Sequence, residues 1–180
     1  MRLMRALGPG SVSSFLKIIL DVVFVALWVG VGSVALLMLA ALLLSFNPDL
    51  IGSITMNVGG GGELVKKWPV VIGGLFAAAL YLAGVLVIVA RLRQIFATLM
   101  AGDPFHPDNV SRLRVIGLAL GGLELIRYAV WMASAWLLPG QTKVEPNFSL
   151  TAWFSVLVVF VLAEVFREGA RLRREAELTI

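Results

Sequence analysis

The 180-residue chain has no cysteine, one histidine and two tyrosines, and only 14% of its residues are charged. Without cysteine there is no disulfide, no thiolate metal site and no cysteine nucleophile. The redox compartment is left undetermined. The single histidine, His106, has Asp103 and Asp108 nearby but no metal-ligand spacing, so it reads as a turn residue. The serines are scattered, and no Ser–His–Asp arrangement can be drawn, so hydrolase chemistry has no support and no enzyme activity is expected. Nothing calls for a cofactor. A soluble domain is about a quarter charged. Here 59% of residues are hydrophobic and the mean hydropathy is +0.94.

That apolar excess is gathered into long runs, so the solvent for most of this chain is lipid. The reading is an all-α polytopic membrane protein, one membrane domain over 1–180, with helices at 17–45, 70–90, 115–138 and 151–167. Residues 1–16 are a short basic entry rich in Gly and Ser. The apolar stretch behind it is too long for the usual signal-peptide core of about 7–15 residues, so it reads as an uncleaved first span. Asp21, one turn after Lys17, reads as an i,i+4 partner at the membrane edge. The segments 46–69 and 139–150 are exterior loops. In the first, Asn47-Pro48-Asp49 stops the helix, 51–58 alternates weakly like a hairpin, and Gly59 to Gly62 make its tip. Four glycines without a flanking strand, helix and Lys-Ser/Thr do not make a phosphate loop.

Positive charge sets the orientation. The N-terminal segment, the 91–114 connection and the C-terminal segment hold eleven Lys and Arg, against Lys66, Lys67 and Lys143 on the other side. Both termini are therefore expected in the cytoplasm, with four spans and a plasma-membrane location. This asymmetry also accounts for the net charge of +4. Direct nucleic-acid binding is not expected, because no basic cluster is interleaved with stacking aromatics.

The 91–114 connection, RLRQIFATLMAGDPFHPDNVSRLR, is the long polar break between spans two and three. Helix two is expected to continue to about Met100. Gly102 suits a left-handed stop, Asp103-Pro104 and His106-Pro107 force an extended turn, and Asp108 or Asn109 can cap helix three. Helix four is expected to carry Glu168, Arg171, Arg173 and Arg174 into the cytoplasm. Small residues at Gly73, Gly74, Gly84, Gly117, Gly121 and Gly122 allow close helix approach, and the Gly117/Gly121 spacing permits a homo-oligomer.

Two sets of residues are candidate sites. Glu124 and Arg127 lie roughly 15 and 20 Å along helix three from Arg114, inside the hydrocarbon, and Glu164 enters from the same side at shallower depth. Charges there are costly, and they are either a proton, ion or ligand site or a structural ion pair that fixes helix register. The second set is a docking face: Gly102, Asp103, Pro104, Phe105, Asn109, Arg112 and Arg114 of the connection, with Arg171, Leu178, Thr179 and Ile180 of the tail. Apolar groups rimmed by charge mark interaction surfaces. The alternative is that the connection packs on the C-terminal helix of the same chain.

The pattern Leu99-x-x-Gly102-x-Pro104-Phe105-x-x-x-Asn109-x-x-Arg112-Leu113-Arg114-x-Ile116-Gly117 continues in the tail as Ala163-Glu164-x-Phe166-x-x-Gly169-x-x-Leu172, and the chain ends Glu177-Leu178-Thr179-Ile180. It resembles a family of small bacterial four-helix membrane proteins, catalogued as domain of unknown function 2975. The resemblance implies no assigned enzyme activity. It suggests a small helix-turn-helix transcription regulator as a cytoplasmic partner, since such regulators are often encoded beside family members. The leading expectation is therefore a membrane sensor or anchor for such a regulator. A small ion- or proton-coupled transporter using Glu124, Arg127 and Glu164, and a structural subunit of a membrane complex, are the alternatives.

Overall fold

The computed structural model describes residues 12–46, 68–137 and 148–178. Those residues form four helices: α1 (Val12–Ser45), α2 (Trp68–Met100), α3 (Pro107–Leu137) and α4 (Leu150–Glu177). There is no strand among the described residues. The expected hairpin at 51–58 and the Gly59–Gly62 tip lie outside them. Each helix is long and apolar enough to cross a membrane. At 28 to 34 residues and 1.5 Å per residue, their lengths are about 42–51 Å, beyond a hydrocarbon layer of roughly 30 Å. The burial pattern is that of a chain solvated by lipid. Large apolar side chains stay exposed along α1, α2 and α4, such as Val22, Leu36, Phe76 and Phe154.

The chain divides into two compact units. The first takes 84–124 and 148–180 together with the beginning of the chain to Leu27. Its buried apolar side chains are Val89 on α2, Leu113, Ile116 and Leu123 on α3, and Ala163 and Ala170 on α4. Two glycines permit the helix approaches here. A Cβ at Gly84 would fall 2.6 Å from Leu123 Cδ2, and one at Gly117 would fall 3.0 Å from the Phe160 ring. The neighbouring Gly121 and Gly122 meet nothing within 4 Å. Of the expected small-residue face on α3, Gly117 is therefore the member in close contact.

Within the second unit, 28–83 and 125–147, Gly30 of α1 lies against Leu82 of α2. Gly73 and Gly74 have open space before them and instead line cavities against α3. The helix start at Leu150 has a conventional cap, with Ser149 Oγ accepting from the Ala152 amide at 3.2 Å.

Candidate functional site

The turn between α2 and α3 is built from the backbone outward. The Gly102 amide donates to Leu99 O at 3.1 Å and the Asp103 amide to Thr98 O at 3.0 Å. Together these form a Schellman stop, with Gly102 in the left-handed position at φ 80°. A residue with a Cβ is strained there. Helix α3 then begins at Pro107, not after Asp108 or Asn109 as the sequence suggests. Proline lacks an N–H and has the φ of a first helical residue, so it takes the first position. His106 becomes the cap, its Nδ1 accepting from the Asp108 amide at 3.2 Å. Asp108 is left in the first turn, where a negative charge suits the helix dipole.

This shift carries Asn109 inward, where it is fully buried. Its Nδ2 donates to Thr98 Oγ1 at 2.8 Å and to Pro104 O at 3.1 Å. The Thr98 hydroxyl has one proton, which goes to Ile95 O at 2.8 Å, so its oxygen is free to accept. Asn109 Oδ1 accepts from Arg112 Nη1 at 2.8 Å, and the same nitrogen reaches Gln94 O at 3.3 Å. One amide thus ties the end of α2, the turn and the first turn of α3 together. Both of its N–H groups and its oxygen are used.

Helix α4 closes on this turn. Arg173 pairs with Asp103. The Phe105 ring lies 5.7 Å from that of Phe166, tilted by 50°. It also fills the notch at Gly169, where a Cβ would stand 2.6 Å from two ring carbons. The Asp103–Arg173 pair and the seated Phe105 ring form a latch between turn and tail, and a cleft of 200 Å³ opens beside it, lined by Asp103, Phe105, Pro107, Ala170, Arg173 and Arg174. The connection and the tail therefore pack on each other within one chain. What stays outward is Arg171, held between Glu168 and Glu175 at 3.2 Å each, with Leu172 and Leu178, 55% and 88% exposed. Thr179 and Ile180 lie outside the described residues. Thr98, Gln94 and the Asp103–Arg173 pairing were not apparent from the sequence. For the notch, a glycine inside a charged helical run was the available signal.

The charged residues of the apolar runs are placed as follows. Glu124 is buried in the first unit. Arg127 belongs to the second, with its guanidinium 5.0 Å from the Tyr128 ring centroid. Glu164 finds its cations in Arg114, at 3.9 Å, and Arg167. Asp21, expected beside Lys17, instead accepts from Arg93 Nε at 2.6 Å. Among the described residues no three of His, Asp and Glu gather closely enough to hold a metal ion.

The family described as "Protein of unknown function (DUF2975)" matches residues 63–180, which take in the turn, the notch and the latch. No curated protein and no solved structure matches the chain.

Proposed function

Because the chain belongs to the DUF2975 family of proteins of unknown function, we propose a function for the surface formed where its turn and tail meet. The protein is a multi-pass plasma-membrane anchor with both termini in the cytoplasm, and the latched turn and tail form the face on which it holds a helix-turn-helix transcription regulator. The observation that carries this reading is the closure of α4 on the α2–α3 turn by Asp103–Arg173 and Phe105–Gly169. Two segments that leave the apolar runs separately are thereby joined, and Phe105, Leu172 and Leu178 each keep exposed apolar area. Apolar groups rimmed by arginine and glutamate, outside the span, suit a protein partner. The choice of a helix-turn-helix regulator rests on the family resemblance. Holding such a regulator at the membrane keeps it from DNA, and a change in the latch alters the face it meets.

The test is co-purification of a helix-turn-helix regulator from the native bacterium in mild detergent, comparing the wild type with a chain truncated after Arg174. Recovery with the full chain and loss with the truncated one is expected. Failure to recover the regulator with either chain contradicts the reading.

One observation favours ion-coupled transport as a second reading: the burial of Glu124 within an apolar helix. Buried carboxylates at such depth are often functional. That reading requires proton or ion flux in liposomes that Glu124→Gln abolishes.

A further inference from the structure

We propose that the crevice between α1 and α2 beside the Asp21–Arg93 pair binds the headgroup of an anionic, hydroxyl-bearing phospholipid of the phosphatidylglycerol type. The crevice has a volume of 320 Å³ and is walled by Lys17, Asp21 and Phe24 of α1 and by Arg93, Gln94 and Ala97 of α2. All six lie in the first unit.

Its polar groups are held in place. Arg93 donates to Asp21 Oδ1 at 2.6 Å, and its guanidinium carbon lies 4.2 Å from the centroid of the Phe24 ring. Ion pairing and ring stacking together fix that side chain. Gln94 Oε1 accepts from Arg91 Nη1 at 3.0 Å, which leaves the Gln94 amide N–H groups as donors. Lys17 adds an exposed cation that pairs with no carboxylate among the described residues. With two cations against one carboxylate, the crevice carries one net positive charge.

Its depth fits a headgroup. Residues 22–45 of α1 and 68–90 of α2 contain no charged side chain, so the crevice sits where both apolar runs begin. Phe15, Ile18 and Val22 remain exposed on α1 at 64%, 61% and 63%, a surface along which acyl chains can lie. Basic pockets between membrane helices are recognised headgroup sites.

Charge complementarity selects the class. A phosphodiester with one net negative charge matches the single excess cation, whereas a zwitterionic headgroup leaves that cation uncompensated. Asp21 Oδ2, not used by Arg93, accepts from a hydroxyl and repels a carboxylate, which favours a polyol headgroup over a serine one. The shared chemistry with soluble phosphates is the phosphate group, and the apolar flank assigns the ligand to the membrane.

The experiment is native mass spectrometry of the full chain in non-ionic detergent, titrated with dioleoyl phosphatidylglycerol or dioleoyl phosphatidylethanolamine. The wild type is expected to retain one phosphatidylglycerol in preference to phosphatidylethanolamine. Lys17→Gln, at an exposed site, should weaken retention about five-fold, the scale of one basic residue near an anionic surface. Ala97→Leu fills the crevice without changing charge and should weaken it as well, while the remote Arg171→Gln should not. Excess glycerol 3-phosphate should not displace the lipid. The proposal is overturned if phosphatidylethanolamine is retained equally, if glycerol 3-phosphate displaces the lipid, or if Lys17→Gln has no effect. It is also overturned if Lys17→Gln and Arg171→Gln weaken retention alike, or if Ala97→Leu leaves it intact, since unspecific surface charge then explains the binding. Matching melting curves without lipid establish that each variant is folded.

Discussion

Asn109 and Gly169 are the two residues whose replacement the account constrains most tightly. Asn109 is buried with its amide fully engaged. Asn109→Ala leaves Pro104 O, the Thr98 hydroxyl and the Arg112 guanidinium without this partner. Thr98 keeps Ile95 O and Arg112 keeps Gln94 O, so Pro104 O is the group left unmet; one such buried group costs about 1–3 kcal/mol, read as a lower melting midpoint in detergent. Asn109→Asp keeps the shape and the Arg112 contact but loses both N–H donors, so it should also destabilise. Gly169 poses a different test. Alanine is favoured over glycine in a helix by about 1 kcal/mol, so Gly169→Ala would stabilise α4 if its surroundings were open. Here the new methyl meets the Phe105 ring, and destabilisation is expected instead. In a Phe105→Ala background the same substitution should turn neutral or stabilising. A double-mutant cycle measures that coupling, and additivity would show that the notch is not where Phe105 sits.

Among the elements, α4 and the α2–α3 turn carry the argument. The latch has an aromatic part and an ionic part of unequal weight. Asp103 and Arg173 are 33% and 47% exposed as side chains, so solvent screens their attraction and Asp103→Asn should cost no more than about 1 kcal/mol. Phe105→Ala removes the Phe166 contact and empties the notch, and should shift the midpoint further. Amide exchange should show the same order, with 102–106 faster in Phe105→Ala than in Asp103→Asn. Much of this was legible in the sequence. Apolar runs of membrane length announced all four helices. Gly102 before Asp103-Pro104 announced the stop of α2, because few residues other than glycine take a left-handed φ. The start of α3 was harder. Asp103, His106, Asp108 and Asn109 all have capping side chains within seven positions, and two prolines, Pro104 and Pro107, both suit a first helical position; the helix starts at Pro107. The burial of Asn109 depends on Thr98 and Pro104, and the partner of Asp21 is Arg93, 72 residues away. Local spacing favoured Lys17, but it cannot weigh a neighbour on another helix.

At the scale of the whole molecule, four apolar helices make a multi-pass membrane protein, and the proposed function adds an orientation. Eleven of the Lys and Arg residues flank one end of the spans and three the other. The proposed function takes this excess, by the positive-inside tendency, to mark a cytoplasmic latched face within reach of a transcription regulator. The absence of cysteine makes this directly measurable, because a single introduced thiol has no background. Ala101→Cys lies at the exposed end of α2 and Leu178→Cys at the exposed end of α4. Ser53→Cys lies in the first loop, expected outside. In intact cells treated with a membrane-impermeant maleimide, Ser53→Cys should label at once, and Ala101→Cys and Leu178→Cys only after permeabilisation. Labelling of Ala101→Cys or Leu178→Cys in intact cells would put the latched face outside and contradict the regulator-anchor account.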